Sequence, residues 1–240
     1  KSKQLLKLLN KCKFSVSNDE TRHYLSGIFL HQTQIEDKVF LTAAATDSHR
    51  MSISKFRLPE KVNFEPIILP KKTIFQLCSL LDNINTNLTL QVSASKIKFS
   101  LGKINLISKV IDGKFPDYKK VVPTDNKKQL EISCKDFIES VERVSTVSLD
   151  RKEGVKLDIN KENVILSVNS TNSGEGNEII KAKFNSNDMS ISFNSKYLLD
   201  IAQEVRDKNI IINLKDSVSP VLIEDRSDKD SYFVIMPMKI

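Results

Sequence analysis

One short polar run groups the residue types that hydrolases use for nucleophilic catalysis. Asp47, Ser48 and His49 follow one another within residues 46–51. The members of a hydrolase triad come from separate segments and converge on one point, which three chain neighbours cannot do. The sequence also contains no Gly-x-Ser-x-Gly elbow. We therefore expect this segment to be a polar turn that binds or orders a partner, and we expect no catalytic residues in it.

Paired carboxylates occur near the C-terminus, where Glu224 adjoins Asp225 and Asp228 lies close to Asp230. Acid–base or metal chemistry needs such groups to converge in a pocket with further ligands, and the sequence shows no further ligating residues that would join these pairs. The chain has three histidines and three widely separated cysteines, which predict neither a disulfide framework nor a metal knuckle. We expect solvated turns here, with no metal and no cofactor.

A row of lysines indicates a different chemistry. Lys3, Lys7 and Lys11 recur every four residues, where like charges destabilise a helix by a few tenths of a kcal/mol per pair. A polyanion on that face would reverse the penalty, and a solvated basic face is the alternative. No aromatic residues interleave with these lysines, so contact with phosphates is favoured over base stacking.

The chain closes on an unusual apolar run, Tyr-Phe-Val-Ile-Met-Pro-Met-Lys-Ile, over residues 232–240. Chain termini are commonly polar and frayed. A last strand that completes the core accounts for Val234 and Met236. A core strand does not explain the apolar residues that follow Pro237, because proline cannot donate a hydrogen bond to a sheet and ends the strand pairing there. Methionine recurs at surfaces that accept apolar ligands, so a binding role for this tail is the competing interpretation.

Length and charge indicate the number of domains and the kind of partner. The 240 residues suit two domains, and no apolar run approaches a membrane span. Residues 1–118 carry 18 basic and 10 acidic side chains, whereas the remainder carries 19 and 20. The basic first half favours a polyanionic partner, although a lysine-rich proteome would give the same bias.

An internal repeat organises the chain. Each half begins with an amphipathic helix, over residues 3–9 and 135–144, and holds a second helix, over 69–77 and 193–201. Alternating apolar and polar residues predict the antiparallel strands 24–29, 39–44, 88–92, 97–101, 104–110, 155–159, 164–168, 210–214, 220–224 and 232–236. The pattern predicts an α+β fold of two repeated domains, residues 1–118 and 119–240. Residues 170–177 are expected to form a mobile loop.

Four segments, matching in order, carry a family resemblance. Thr-Asp-Ser-His-Arg at 46–50, Asp-Gly-Lys-Phe-Pro-Asp-Tyr at 112–118, Asp-Ser-Val-Ser at 216–219 and the apolar ending at 234–240 resemble the β subunit of bacterial DNA polymerase III, the replicative sliding clamp. The protomer of that family has three domains of one fold. This chain resembles the second and third, with two helices packed on antiparallel sheet in each and the first domain absent.

The resemblance implies a cytoplasmic, non-catalytic DNA polymerase subunit that acts as a processivity factor. Two full-length protomers would join head to tail into a ring around duplex DNA, without sequence preference. The implied partners are the polymerase III catalytic subunit, the clamp loader, and other polymerases and repair proteins that carry short linear motifs. Because the missing domain supplies half of each protomer interface, we expect this chain alone not to close a ring.

The resemblance also implies two sets of site residues. Clients of the family insert an apolar, aromatic-ended peptide between the second and third domains. The matching positions here are Leu25, Thr46, Ser48, His49, Arg50, Met51, Pro116, Lys120, Val121, Asn194, Tyr197, Val218, Pro220, Val234, Ile235, Met236, Pro237, Met238, Lys239 and Ile240. Helix position and charge, without a motif match, place Lys3, Lys7, Lys11, Lys71, Lys72 and Lys196 towards DNA.

Several positions depart from the family pattern. Ser48 stands where a glycine is usual, Pro220 replaces a small hydroxyl residue and Lys152 replaces an aromatic residue. Lys120, Lys239 and Ile240 are conservative replacements.

Two other function classes remain open at this point. A nucleic-acid-processing enzyme on a basic α+β scaffold would need clustered carboxylates or histidines, and a peptide-binding adaptor would have no DNA role.

Overall fold

The computed structural model describes residues 1–62, 65–82, 84–147, 154–170 and 174–239. They divide into two compact units, which we call unit 1 (Lys1–Tyr118) and unit 2 (Lys119–Ile240). No helix within the described ranges is long and apolar enough to cross a membrane.

Unit 1 packs two helices on antiparallel sheet. The helices are α1 (Ser2–Lys13) and α2 (Lys71–Leu81), and the first sheet has the order β4-β1-β2-β3, with β1 (Gly27–Ile35), β2 (Lys38–Thr46), β3 (Arg50–Arg57) and β4 (Ile67–Pro70). The second sheet joins β5 (Thr89–Val92), β6 (Lys96–Leu101) and β7 (Ile104–Lys109) in sequence.

Unit 2 repeats this order with one strand more. β8 (Lys128–Ser133) precedes α3 (Cys134–Val144), and the chain continues through β9 (Gly154–Ile159), β10 (Asn163–Ser170), β11 (Gly174–Phe184), β12 (Met189–Asn194), α4 (Ser195–Ala202), β13 (Asn209–Leu214), β14 (Val221–Glu224) and β15 (Ser231–Ile235). The strands follow one another as β12-β9-β10-β11-β8-β13-β14-β15, and neighbours are antiparallel. The predicted α+β class with a repeated fold is confirmed.

Apolar spacing explains the helices and the core. In α1, Leu5, Leu8, Leu9 and Cys12 recur at three- and four-residue intervals and are buried, so one stripe of the helix faces the sheet. Side-chain caps fix the two helices of unit 2, because Ser133 and Asn194 accept hydrogen bonds from the backbone N–H groups of Asp136 and Tyr197.

The structure corrects some predicted elements. Residues 24 and 25 belong to a 3-10 turn, Glu20–Leu25, and the strand begins only at Gly27. The predicted mobile loop at 170–177 is wrong for residues 174–177, which begin β11 and pair with β10; residues 171–173 lie outside the described ranges. The strands β3, β4, β8, β11 and β12 were not predicted. β3 mixes polar residues into its apolar pattern. β4 and β12 lead directly into α2 and α4, and the predicted helices 69–77 and 193–201 wrongly took in their last residues, because these helices begin only at Lys71 and Ser195.

Candidate functional site

The polar run of unit 1 forms a tight turn between β2 and β3, which we call the 46–50 turn. Asp47 accepts hydrogen bonds from the backbone N–H groups of His49 and Arg50, both at 3.0 Å. The hydroxyl of Thr46 donates to the Arg50 carbonyl at 2.8 Å and accepts from the Ser48 N–H at 3.1 Å. The Asp and Thr side chains thus hold the backbone, while Ser48 and His49 are exposed. The predicted polar turn is confirmed, and the binding of a partner by its residues stays a prediction.

Ser48 occupies a backbone conformation that favours glycine. Its φ is +77°, in the left-handed region, where a side chain costs on the order of 1 kcal/mol. The Ser48 hydroxyl accepts a hydrogen bond of 2.6 Å from Arg22 Nη1, which offsets part of this cost. Ser48 thus contacts the 3-10 turn through its side chain, which a glycine at this position could not do.

Arg50 anchors the turn to the interior of unit 1. Its Nε lies 3.0 Å from Asp47 Oδ2, its Nη2 donates to the Phe14 carbonyl at 2.7 Å, and its guanidinium lies 5.2 Å from the centre of the Phe14 ring. The side chain is only 5% exposed. A planar guanidinium suits this set of contacts because it donates in several fixed directions and stacks on aromatic faces.

The 3-10 turn that carries Leu25 is itself held by a carboxylate. Asp19 accepts hydrogen bonds from the Thr21 hydroxyl at 2.6 Å and from Arg22 Nε at 2.8 Å. These bonds, that of Thr21 first, lower the pKa of Asp19 to about 2. Asp19 therefore stays ionised at neutral pH and positions Arg22 towards Ser48.

The Asp-Gly-Lys-Phe-Pro-Asp-Tyr motif at 112–118 is seated on β1 by aromatic side chains. Phe115 stacks on Phe29 with ring centres 4.9 Å apart, within the range of favourable pairs. Tyr118 meets His31 through its hydroxyl and Nε2, 2.9 Å apart. Phe115 and Tyr118 are buried, so this motif is structural at its aromatic positions and leaves Pro116 exposed.

The Asp-Ser-Val-Ser motif of unit 2 forms a second tight turn, between β13 and β14. Asp216 accepts hydrogen bonds from the N–H groups of Val218 and Ser219 at 2.9 and 2.6 Å, and from the Ser219 hydroxyl at 2.8 Å. These bonds, that of Val218 N–H first, lower the pKa of Asp216 below its usual value. The turn leaves the Val218 side chain 61% exposed.

The C-terminal run continues past β15 along the same unit. Ile235 pairs with Val221, so the next residues outward, Met236 and Pro220, face each other beyond the end of the strand pair. The N–H of Met238 then donates to the Ser192 carbonyl at 2.7 Å. This bond ties the tail to β12, two residues before the Asn194 cap of α4.

These segments leave three apolar side chains on the surface of unit 2, which we call the apolar strip. Val218 is 61% exposed, Met236 37% and Met238 38%. Val234 and Ile235 are buried in β15, and Tyr197 and Pro220 are half-buried. Exposed aliphatic groups on a rigid frame offer an apolar ligand surface to desolvate.

The predicted client-binding residues thus fall into groups within each unit. In unit 1, Thr46, Ser48, His49 and Arg50 belong to the 46–50 turn, and the Arg22–Ser48 bond joins it to the 3-10 turn that ends at Leu25. Met51 follows in β3, and both Leu25 and Met51 are buried. In unit 2, Lys120 and Val121 are exposed at the start of the unit, and the rest lie on the 216–220 turn, the start of α4 and the tail. Ile240 and Lys152 lie outside the described residues.

The lysines predicted to face DNA behave differently from one another. Lys3, Lys7 and Lys72 are exposed, Lys71 bonds the Asn18 side chain, and Lys196 pairs with Asp200 at 3.2 Å. Lys11 is 1% exposed, so its prediction as a surface residue is wrong. Each residue turns an α-helix by about 100°. Lys11 follows Lys3 by eight residues, so it is rotated roughly 80° from Lys3, towards the apolar stripe.

The paired carboxylates serve turns, as expected, but Asp225 and Asp228 are only 2% and 7% exposed, so the prediction that they are solvated is wrong. Asp225 accepts hydrogen bonds from the N–H groups of Arg206 and Ser227 at 2.8 and 2.9 Å, and Glu224 accepts from the Asn213 amide at 2.6 Å. In the part of the chain that the structure describes, no three His, Cys, Asp or Glu side chains are grouped so that they could hold a metal ion.

Sequence reasoning missed three positioning residues. Arg22 reaches Ser48, Phe14 supports Arg50, and Asp216 shapes the turn that presents Val218. Only Asp216 had a readable signal, because Asp followed three residues later by Ser is typical of an Asx turn. The contacts of Arg22 and Phe14 join distant segments, so local sequence does not reveal them.

Comparisons with known proteins cover both units. Residues 1–117 match the family model described as DNA polymerase III beta subunit, central domain, and residues 119–239 match the model of its C-terminal domain.

Individual relatives give the same result. The beta sliding clamp of Caulobacter vibrioides is 34% identical over 238 residues, 99% of this chain and 64% of that protein. The Escherichia coli K12 beta sliding clamp is 30% identical, with 98% and 63% covered. A crystal structure of the Bartonella birtlesii sliding clamp bound to griselimycin superposes with a TM-score of 0.96 at 37% identity, and covers all of this chain and 65% of that one. The chain thus spans less than two thirds of the length of these relatives.

Proposed function

The chain belongs to the family of bacterial DNA polymerase III β subunits, the sliding clamps, and from this premise we propose that it forms the central and C-terminal domains of a replicative clamp. The whole protein would encircle duplex DNA as a head-to-tail dimer in the cytoplasm. It would perform no chemistry of its own and would act as a subunit of the polymerase holoenzyme. A sliding ring needs weak, sequence-independent contact with phosphates, for which the exposed lysines Lys3, Lys7 and Lys72 are suited.

The function of this part of the clamp would be to hold clients. The observation that carries this proposal is the apolar strip of unit 2, which remains exposed although its frame is fixed by Asp216 and by the Met238–Ser192 bond. A short peptide with Leu and Phe side chains would cover the strip and gain hydrophobic free energy. The residues of the 46–50 turn, with Leu25, Pro116, Lys120 and Val121, are assigned to the same role by family resemblance.

The partners follow from such peptides. The polymerase III catalytic subunit, the clamp loader, other polymerases and repair proteins would each present a short linear motif to this surface. A preformed surface that recognises a brief apolar motif lets clients exchange, because a small contact area gives moderate affinity.

The experiment is a fluorescence anisotropy titration of a labelled peptide containing Gln-Leu-x-Leu-Phe. Met238→Ala removes three side-chain heavy atoms, worth about 2.4 kcal/mol if fully buried. Because Met238 is already 62% covered in the free protein, counting from its 38% exposure, the loss is about 1 kcal/mol, or roughly fivefold in Kd. Val218→Ala should give a similar loss.

Ile179→Ala provides the matched control, because Ile179 is 69% exposed on β11, away from the strip. Its Kd should equal that of the unsubstituted chain. Equal weakening by all three substitutions, or no saturable binding by the folded chain, would reject the strip as the client site. Peptide binding without any affinity for duplex DNA in the longer protein would favour an adaptor instead of a clamp.

A further inference from the structure

The two helices of unit 1 carry charge of one sign only. Together α1 and α2 contain six lysines and neither Asp nor Glu, and Lys3, Lys7 and Lys72 are exposed. The helices of unit 2 differ, because α3 and α4 contain three basic and four acidic residues. Cationic helices that lack acidic neighbours attract polyanions. The helical charge that suits nucleic acid is therefore concentrated in unit 1.

An aromatic ring lies among these lysines. Phe75 of α2 is 48% exposed, and the Nζ of Lys13, at the end of α1, lies over its ring at 6.0 Å from the centre, within the range of a cation–π contact. The same Nζ donates a hydrogen bond of 2.8 Å to Asn10 Oδ1, which holds the lysine beside the ring. Lys72 lies one helical turn before Phe75 on α2. The fold thus adds to the lysines an aromatic group that their own stretch of sequence lacks.

The repeat shows that a helix at this place in the fold can bury the same position. α2 begins at Lys71 and α4 begins at Ser195, so Phe75 and Leu199 are the fifth residues of corresponding helices. Leu199 is only 6% exposed. Unit 2 therefore buries an aliphatic side chain where unit 1 leaves about half of an aromatic side chain exposed. The exposed part of Phe75 is apolar area that a ligand can cover.

We propose that Phe75, with Lys13 and Lys72, forms a stacking site for one unpaired base of single-stranded DNA. The proposal rests on the clamp function proposed above and deepens it, because an aromatic ring recognises what lysines alone do not. Bases in a duplex stack on one another and offer no face to a side chain at the surface, whereas an unpaired base can lie flat on an aromatic ring. Lys13 and Lys72 would contact the flanking phosphates. The site would therefore favour a strand that has not yet been copied over a finished duplex.

Fluorescence anisotropy tests the proposal with the 240-residue chain at about 20 mM salt. The probes are a labelled mixed-sequence strand of about 12 nucleotides and the duplex that it forms with its complement. Phe75→Leu removes the ring and places at this position the residue that α4 has. It should raise the Kd for the single strand roughly five- to thirtyfold and the Kd for the duplex less than about twofold. Phe75→Tyr is the matched control, because it keeps an aromatic face and should retain the single-strand affinity.

A fluorescent base reports the stacking itself. The base analogue aminopurine loses fluorescence when it stacks, so a single strand that carries it should be quenched by the natural chain and by Phe75→Tyr but not by Phe75→Leu. An unchanged single-strand Kd for Phe75→Leu, or equal weakening of single strand and duplex, would overturn the proposal. In either case duplex binding that still depends on Lys72 would leave the clamp function standing.

Two other results would also reject the stacking site. If the unsubstituted chain bound neither form of DNA, the stacking site and the assignment of the exposed lysines to DNA would fail together. If the chain self-associated through Phe75, so that Phe75→Leu abolished the association and left single-strand binding unchanged, the ring would belong to a protein contact.

Discussion

The substitution Arg50→Lys tests how the 46–50 turn is held, because it keeps the charge and removes the guanidinium. Arg50 donates in different directions to Asp47 and to the Phe14 carbonyl, and lies over the Phe14 ring. A lysine ammonium is a single point of donation on a flexible stem, so it cannot serve both acceptors in this geometry. One of the two would lose its partner in a nearly buried site.

The expected loss follows from these contacts. One hydrogen bond to a charged group contributes about 1.5–3 kcal/mol, and the loss of stacking on Phe14 adds roughly 0.5 kcal/mol. We therefore expect the free energy of opening of β2 and β3 to fall by about 2–3.5 kcal/mol. That change corresponds to amide exchange roughly 30 to 300 times faster in the two strands, since 1.4 kcal/mol is a factor of ten.

Native-state hydrogen exchange is the suitable assay, because two units need not unfold in one step and a single unfolding midpoint would mix them. Arg57→Lys is the matched control: Arg57 ends the same strand but is exposed, so its replacement should change exchange by less than about threefold. If the two variants behaved alike, the anchoring role that we assign to Arg50 would be wrong.

Two further predictions concern charge. The pKa of Asp216 is lowered in the folded protein from the unfolded value of 3.8. Its ionisation therefore stabilises the 216–220 turn at any pH above 3.8, and this stability is lost as the pH falls through the lower pKa of the folded state. A carbon-13 NMR titration should place the midpoint of the Asp216 carboxyl below 3.8, and Asp216→Asn should remove the transition at acid pH from the titration of the Val218 amide. Lys72→Ala should reduce the slope of the logarithm of the duplex DNA binding constant against the logarithm of the salt concentration by about 1, measured over a salt series that begins near 20 mM. Weaker binding with an unchanged slope would contradict a phosphate contact.

The fold was readable where one pattern dominated. The apolar spacing of α1 fits only a helix with one buried stripe, and the alternation in β6 and β9 fits only strands with one buried face. The repeat of helix and strands was visible in both halves. β8 and β11 were missed for a physical reason. Lys128–Ser133 places only two apolar residues between polar ones, and the glycines of β11 suggest a loop until its pairing with β10 is known.

The candidate site was readable as motifs but not as geometry. Asp47 and Asp216 lie in short polar runs that indicate turns, and the C-terminal methionines indicated an apolar surface. Burial could not be read in the same way: Lys11 matched the spacing of Lys3 and Lys7 yet lies inside, because 3.6 residues per turn rotate an i+8 position off the original face. Long-range partners such as Phe14 with Arg50 depend on the assembled fold.

The three cysteines have a practical consequence. Cys12 and Cys78 are buried in unit 1 and Cys134 in unit 2, and burial raises the pKa of the Cys78 and Cys134 thiols. A thiol reagent needs both access and thiolate, so native labelling must await local opening. The labelling rate of each natural cysteine therefore reports how often its unit opens, without any engineered probe. Local opening of each unit could be followed separately with the natural sequence.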